Sequence, residues 1–257
     1  MKKIFFAIVA AGIATFSIHE SRAQSWNDVL NSVFGENSTS NKNSTKQNTG
    51  GLGAGLSNLD ISNGLKEALS LGANNASKQL STTDGFLKNA AVKILMPPEV
   101  QKVEKALRQF GMGSLADQAI VAMNRAAEDA ASKAGPIFVS AITRITLNDA
   151  LGILRGGNNA ATNYLQRTTQ QQLMSAFSPV VKQSLTKVGA ERIWQQAFSA
   201  YNKLPGVSKV NTDLTNYVTQ KATEGMFVSI AAEELKIRQN PTGQASNLLR
   251  KVFGSGK

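Results

Sequence analysis

The sequence has no cysteine and only one histidine, His19, among its 257 residues. A thiolate or an imidazole is needed for Ser-His-Asp and Cys-His catalysis, for Cys/His zinc sites, and for most haem and iron–sulfur ligation. Because His19 lies in a segment that we expect to be cleaved off, the mature chain would contain neither group. The sequence therefore excludes these enzyme classes and predicts no cofactor, no metal site and no disulfide.

Acidic and aromatic residues are also scarce. The chain has 17 Asp and Glu against 28 Lys and Arg, a net charge of +11, and 6% aromatic residues. Excess positive charge favours anionic partners such as phospholipid head groups or acidic polysaccharide, although it also keeps a protein soluble. No stretch has more than two adjacent basic residues, and none alternates with aromatics as in nucleic-acid-binding proteins. We therefore expect no nucleic-acid partner.

The N-terminal segment has the pattern of a secretory signal peptide. Basic MKK is followed by a short apolar core and by the small residues Ser21 and Ala23, which predicts a signal peptide over residues 1–23. A membrane anchor would need about 20 apolar residues, and Glu20 and Arg22 interrupt the run too early. We expect an exported, basic protein of the periplasm, soluble or peripherally membrane-associated, with no transmembrane segment after cleavage.

Three further regions follow the predicted signal peptide. Residues 24–34 read as a short amphipathic helix, with one apolar face formed by Trp26, Val29, Leu30, Val33 and Phe34. Residues 35–55, rich in Gly, Ser and Asn, read as a disordered linker. Residues 56–254 form the predicted main domain. The short helix either packs on that domain or docks on a partner or a membrane surface.

The main domain is predicted to be all-α, a single multi-helix bundle. Glycine and proline recur as helix stops, and no alternating strand pattern of useful length occurs. The predicted helices are 63–81, 84–95, 98–110, 114–134, 136–146, 147–155, 159–188 with a bend near Pro179, 190–203, 211–238 and 244–253. The segments from Ser114 to Asp117 and from Thr146 to Asp149 resemble capping boxes. Alanine is so frequent in 114–134 that we place this helix near the centre of the bundle.

A Gly-Gly pair in LGILRGGNNAATNYL, residues 151–165, joins two of these helices. Free backbone N–H groups at a helix N-terminus can hold a carboxylate or a phosphate. The candidate ligand-binding residues here are Arg155, Gly156, Gly157, Asn158, Asn159 and Thr162. The alternative is structural, a left-handed C-cap at one glycine followed by one asparagine as the next N-cap. Neither a P-loop nor a dinucleotide-binding fingerprint is present.

Glu128 is the acid for which the sequence offers the least structural explanation. It follows Asn124 by four residues on a face of small side chains, so both join the candidate ligand-binding residues. Other acids have structural explanations: Asp117 and Asp149 in caps, Asp129 paired with Arg125, and Glu234 paired with Arg238. A hydrolase needs two carboxyl groups about 5 to 9 Å apart. Glu128 with Asp149 or Glu224 could supply them, although clefts of that kind usually carry several aromatic residues.

Three stretches of the main domain resemble a known bacterial family. They are PPEVQKVEKALRQFGMGSLADQAIVAMNRAAEDA, IFVSAITRITLNDALGILRGGNNAATNYL and LLRKVFG, and they resemble the family called domain of unknown function 4197 over about residues 56–254. The resemblance implies an exported helical protein of Gram-negative bacteria, with no established activity, cofactor or catalytic residue. Relatives often have an acidic or hydroxyl residue where this chain has Asn158 and Asn159. Since all of these can cap a helix, the difference weakens a metal-site interpretation more than a structural one.

The sequence leaves three functional hypotheses. The first is a non-catalytic binding module for a hydrophobic or anionic envelope component, the second a structural or protein-interaction module, and the third a carboxylate-dependent hydrolase. An enclosed apolar cavity larger than about 300 Å³ would favour a hydrophobic ligand. A closed core with an exposed apolar face would favour a protein partner, and two facing carboxylates in a cleft would favour the hydrolase.

Overall fold

The computed structural model describes residues 58–109, 111, 113–201, 206, 209 and 213–240. Within these residues every regular element is a helix, which confirms the predicted all-α fold. The helices are α1 Asn58–Leu80, a 3₁₀ turn Pro98–Val100, α2 Gln101–Gln109, α3 Gly113–Ala131, α4 Ala134–Thr143, α5 Leu147–Arg155, α6 Ala160–Lys187, α7 Ala190–Tyr201 and α8 Leu214–Gln239. The predicted signal peptide, the helix 24–34, the linker 35–55 and the helix 244–253 lie outside the described residues.

Helix α6 forms the centre of the bundle. Its buried side chains recur at every fourth position, namely Leu165, Thr169, Leu173, Phe177, Val181 and Leu185. This spacing produces a continuous ridge along one face, which packs into the grooves of neighbouring helices. Helix α6 contacts α8, α3 and α4, and α1 packs on α8 and α4. Pro179 is exposed and lies inside α6, which continues without a break to Lys187.

Helix α3 packs against both α6 and α8, as its alanine content predicts. Ala126, Ala127, Ala130 and Ala131 are fully buried. Because methyl side chains occupy little space, the backbones of the three helices can approach closely at this level. The small residues of α3 therefore allow α6 and α8 to share one core.

The predicted helix 84–95 is wrong, because residues 81–92 form mainly turns and residues 93–97 have no regular structure. Glu128 of α3 accepts hydrogen bonds from the backbone N–H groups of Phe86 and Leu87, both at 3.1 Å. Its other carboxylate oxygen pairs with Arg125 at 2.6 Å. Asp84 adopts a positive φ of 69° near the start of the segment. Two i→i−4 backbone hydrogen bonds are present, from Lys88 to Asp84 and from Lys93 to Asn89, and side chains of α3 bind other backbone groups of the segment.

Asn124 holds the second half of the same segment. Its Oδ1 accepts from the backbone N–H of Ile94 at 2.9 Å, and its Nδ2 donates to the backbone oxygens of Ile94 and Ile120 at 2.8 and 2.7 Å. Asn124 is fully buried, and these three bonds leave little polar capacity unused. A buried asparagine that pairs with both backbone groups of one residue fixes the position of that residue against α3.

Two smaller predictions on acidic residues are also wrong. Ser114 lies within α3, which begins at Gly113, and Asp117 is paired with Arg108 at 2.7 Å instead of completing a capping box. Asp129 accepts a hydrogen bond from the Ser184 hydroxyl at 2.6 Å. Arg125, the partner predicted for Asp129, instead binds Asp84 and Glu128. Spacing along one helix could not reveal the partners, which come from other elements.

Among the described residues, no single helix is both long and apolar enough to cross a membrane. The consecutive helices α4 and α5, bent by 107° at their junction, pass that test only when taken together. The apolar side chains of α4 that include Phe138 and Ile142 are buried inside the bundle.

Candidate functional site

Helix α5 begins with a capping box, as predicted. The Thr146 hydroxyl accepts from the backbone N–H of Asp149 at 3.1 Å, and Asp149 Oδ2 accepts from the backbone N–H of Thr146 at 3.0 Å. Hydrogen bonds from the Thr146 side chain and backbone lower the pKa of Asp149 below its ordinary value of 3.8. Asp149 is therefore ionised at neutral pH, where its charge also suits the positive end of the helix dipole.

The Gly-Gly loop after α5 does not contain the left-handed cap that we considered. Gly156 ends α5 with φ −76° and ψ 170°, an extended conformation, and Gly157 does not have a positive φ. Gly156 is required for steric reasons, because a Cβ there would lie 2.5 Å from the Cβ of Ala160. Asn159 occupies the N-cap position of α6, but its side chain makes no capping hydrogen bond.

The N-terminus of α6 is instead capped by a carboxylate from α8. Glu234 accepts from the backbone N–H groups of Ala161 at 3.0 Å and Thr162 at 2.8 Å, and from the Thr162 hydroxyl at 2.8 Å. Glu234 is only 5% exposed. The anion that a glycine-rich turn and a helix N-terminus can hold is thus supplied by the protein itself.

Arg238, one turn further along α8, binds both Glu234 and the end of α5. Its guanidinium donates to Glu234 Oε1 at 2.8 and 2.9 Å and to the backbone oxygen of Ile153 at 3.0 Å. The Ile153 carbonyl belongs to the last turn of α5 and also accepts from the backbone N–H of Gly156 at 3.3 Å, so Arg238 supplies it with a second hydrogen bond. Glu234 and Arg238 therefore satisfy the start of α6 and the end of α5, and we call this pair the α8 clamp.

The predicted ligand-binding residues fall in two separate places. Arg155, Gly157, Asn158 and Asn159 are exposed at the joint, Gly156 is half-buried, and Thr162 is buried against the α8 clamp. The cavity behind the joint, between α1, α5 and α8, measures about 10 Å³, which is room for about one water molecule. Asn124 and Glu128 lie on α3 and bind the segment 81–97, as described above. The polar groups of Thr162, Asn124 and Glu128 already have protein partners, and a ligand-binding role for the set stays a prediction.

A polar cleft opens beside the joint, between α5 and α6. It has a volume of about 400 Å³, and we call it the α5–α6 cleft. Its lining residues are Asn148, Asp149, Gly152, Ile153, Ala160, Asn163, Tyr164 and Arg167. Gly152 faces open space, because a Cβ built there would meet no atom within 4 Å. Sequence reasoning had assigned Asp149 to a cap and had not selected the other residues of this cleft.

Arg167 is the principal charge that the cleft offers to a ligand. It is exposed, and within the described part of the chain no carboxylate lies at ion-pair distance from it. Burial, and then the nearby charge of Asp149, raise the pKa of the half-buried Tyr164 above 10.0. Its phenol therefore stays protonated at neutral pH and can donate a hydrogen bond. The cleft thus combines a guanidinium, a hydroxyl donor and the amides of Asn148 and Asn163.

The sequence around the cleft is poor in acidic residues. From residue 130 to residue 190, Asp149 is the only acid, whereas six residues are Lys or Arg. This part of the chain, which includes α5 and α6, therefore has a net positive charge because acids are scarce, and not because Lys and Arg are denser here than elsewhere. This local imbalance, combined with Asn163, Tyr164 and Arg167 on adjacent turns of one helix, could have indicated the cleft.

The carboxylates predicted for a hydrolase site, Glu128 with Asp149 or Glu224, each have other partners in the described structure. Glu128 binds the segment 81–97, Asp149 belongs to the capping box, and Glu224 pairs with Lys221 at 2.7 Å. Each of the three carboxylates is thus held by a different set of neighbours. In the same part of the chain, no group of three or more His, Cys, Asp or Glu side chains could hold a metal ion.

Comparison with known proteins identifies a family for most of the chain. No curated protein and no solved structure matches the chain. The family model described as "Protein of unknown function (DUF4197)" matches residues 55–254, which include all the described helices and the α5–α6 cleft. The chain therefore belongs to the DUF4197 family of proteins of unknown function.

Proposed function

We propose that this protein is an exported, non-catalytic binding protein of the cell envelope that holds an anionic component in the α5–α6 cleft. The observation that carries the proposal is Arg167, a guanidinium without an ion-pair partner among the described residues, in an open cleft of about 400 Å³. That volume lies in the usual range for small-molecule sites, roughly 300 to 1,000 Å³. The proposed location rests on the signal-peptide pattern of residues 1–23.

The α8 clamp explains why an external anion would bind in the cleft and not at the Gly-Gly loop. Glu234 already occupies the helix N-terminus with three hydrogen bonds, so a second anion there would meet a buried like charge. Arg167 lies on α6 beyond this first turn and is exposed. Charge-assisted hydrogen bonds from a guanidinium to a carboxylate or phosphate are roughly twice as strong as neutral ones.

Of the two ligand classes predicted from the sequence, we propose the anionic one and not the hydrophobic one. The apolar cavity enclosed by the described residues measures only about 10 Å³, far below the roughly 300 Å³ that a lipid or similar ligand would require. The stretches IFVSAI and MFVSIAA supply buried core residues such as Phe138, Ile142 and Phe227. Apolar packing here serves stability, which leaves the polar cleft as the better-supported binding site.

Titration of the ¹⁵N-labelled protein with acetate, which carries a single negative charge, would test the proposal. We expect saturable amide shifts in residues 148–153 and 160–167, because these residues surround the cleft. The variant Arg167→Gln should lose them. The variant Lys182→Gln removes an exposed charge from the same helix, outside the cleft, and should keep them.

Two outcomes would contradict the proposal. The shifts could be spread over exposed basic residues in general, which would indicate non-specific attraction to a basic protein. Alternatively, Arg167→Gln could respond as the unmodified protein does, which would show that the cleft guanidinium does not hold the anion.

A further inference from the structure

The side chains that line the α5–α6 cleft indicate which kind of anion would bind there. This inference rests on the proposed function. The cleft contains one cation, Arg167, and one anion, Asp149, so its own charge is balanced. A dianionic phosphate or a polyanion would be attracted by Arg167 and repelled by Asp149. A ligand with a single negative charge and many hydroxyl groups could bind both residues. Its negative charge would pair with the guanidinium of Arg167, and one of its hydroxyl groups would donate a hydrogen bond to Asp149.

The remaining wall offers hydrogen bonds and little apolar surface. The amides of Asn148 and Asn163 each supply two donors and one acceptor, and the Tyr164 hydroxyl supplies a donor. Ile153 and Ala160 contribute the only aliphatic side chains among the eight lining residues. An acyl chain or an apolar peptide side chain would find no pocket here, whereas vicinal hydroxyls would find paired amide partners.

A polar strip continues from the cleft along α6. Asn163, Arg167, Gln170 and Gln171 are all exposed and lie at i, i+4, i+7 and i+8, which places them on one face of the helix. Helix α6 contains no acidic residue. A strip of neutral amides with one guanidinium suits a chain of hydroxyl-bearing units that extends beyond the cleft.

We propose that the α5–α6 cleft and this strip bind an acidic saccharide, with one sugar carboxylate on Arg167 and neighbouring hydroxyls on Asn148, Asp149 and Asn163. The half-buried ring of Tyr164 provides one apolar face for a sugar ring. Because the strip is longer than one sugar, affinity should increase with the length of the saccharide.

Calorimetric titration of the purified protein with aldotriouronic acid, a trisaccharide that carries a single uronic-acid carboxylate and is called the trimer below, would test this proposal. Acetate carries the negative charge alone, maltotriose carries the hydroxyl groups alone, and glycine is a small zwitterion. We expect the trimer to bind at least about tenfold more tightly than any of these three probes, since charge-assisted and neutral hydrogen bonds act together. Arg167→Gln should weaken this binding about tenfold or more, and Gln170→Ala should weaken the binding of the trimer but not that of monomeric glucuronate.

Each other result has a defined meaning. If acetate binds as tightly as the trimer, the saccharide class is wrong while anion binding in the cleft stands. If glycine binds more tightly, the cleft recognises a zwitterion and the saccharide proposal fails. If maltotriose equals the trimer, the charge of the ligand is irrelevant and both proposals fail. If none of the probes binds, both proposals fail as well, and normal unfolding curves for Arg167→Gln and Gln170→Ala would exclude misfolding as the cause of any loss.

Discussion

Single buried carboxylates determine much of the local structure, and Glu234 shows this most clearly. Its side chain is 4% exposed, it receives three hydrogen bonds from the start of α6, and it pairs with Arg238, whose side chain is 10% exposed. An anion at a helix N-terminus is often external, a phosphate or a substrate carboxylate. Here the same position is filled from within, so the Gly-Gly loop acts as a joint between two helices.

Replacing Glu234 with Gln should destabilise the protein by about 3 kcal/mol, because it removes the buried negative charge that pairs with Arg238 and caps the start of α6. Urea unfolding monitored by circular dichroism would measure the loss. The matched control is Glu224→Gln on the same helix, whose side chain is 48% exposed and whose ion pair with Lys221 is solvated. That variant should stay within about 0.5 kcal/mol of the unmodified protein. Equal losses in the two variants would show that Glu234 is not a structural cap.

Two glycines inside helices should respond in opposite directions to alanine. A Cβ at Gly225 would lie 2.7 Å from Cε1 of the fully buried Phe86, so Gly225→Ala should cost about 1 to 3 kcal/mol through overpacking. At Gly152 a Cβ would meet nothing, so Gly152→Ala should stabilise α5 by up to about 1 kcal/mol. Thermal unfolding of both variants tests this, and a stable Gly225→Ala protein would disprove the close approach of α8 to Phe86.

The sequence singled out Glu128 and Asn124 as polar residues without an obvious role, but it did not show which groups they bind. Both are buried residues that bind backbone groups 30 to 42 positions away in the chain. Ligand binding was a reasonable hypothesis, because local spacing cannot show contacts between distant segments. Arg125 likewise pairs across the fold with Asp84 and not with Asp129.

At the scale of elements, the long periodic helices and their capping signals were predictable. Helix α5 runs from Leu147 to Arg155, as predicted, because Thr146 and Asp149 form a complete capping box at its start. The segment 84–95 was not predictable in this way. Its apolar residues have a helical spacing, but side chains of α3 bind its backbone and hold it in a non-helical form. Tertiary contacts overrode a local preference that was real but weak.

The capping box of α5 should contribute a stability that depends on pH. Since the folded pKa of Asp149 is lowered, its contribution is present in full above the ordinary value of 3.8 and is lost as the pH falls through the lowered value. Asp149 is only partly buried, so we expect a contribution of about 1 kcal/mol or less. The difference in unfolding free energy between the unmodified protein and Asp149→Asn should shrink as the pH decreases below 3.8. A difference independent of pH would contradict this origin.

The segment 81–97 should detach locally when Asn124 is replaced. Asn124→Ala leaves the N–H and C=O of Ile94 without partners in a buried position and should cost about 3 kcal/mol. In hydrogen exchange, the Ile94 amide should lose more protection than the amide of Phe177 in the core of α6. Asn163→Ala, an exposed asparagine in the cleft, is the control and should leave the exchange of Ile94 unchanged. Uniform loss of protection would instead indicate global unfolding.

At the scale of the whole molecule, a closed apolar core is combined with an uneven distribution of charge. The largest buried side chains include Phe86, Phe138 and Phe177, and the apolar cavity between α1, α5 and α8 measures only about 10 Å³. The excess of basic residues is visible in the composition, but the composition does not show that Arg167 lies near Asp149 and Tyr164, because that depends on which helices are neighbours. The α5–α6 cleft lies between these two helices, beside their glycine joint.

The closed core predicts that the protein does not take up hydrophobic molecules into the described bundle. Fluorescent fatty-acid analogues should show no saturable binding that a non-fluorescent fatty acid can displace. Two results together would contradict the closed core. The unmodified protein would bind the fluorescent analogue at a site from which a fatty acid displaces it, and this binding would disappear when a core side chain is enlarged, for example in Ala161→Leu. The same substitution should be tested for folding by circular dichroism, since Ala161 is 1% exposed.

A crystal soaked with 4-bromobenzoate would test most directly the claim that the α5–α6 cleft, and not the Gly-Gly loop, is the external anion site. The carboxylate should bind Arg167, and the anomalous signal of bromine should locate it beside Tyr164 within the cleft. The same soak of an Arg167→Gln crystal should show no bromine there. A bromine peak at residues 155–159 with an empty cleft would contradict the claim, and so would an unchanged peak in the variant.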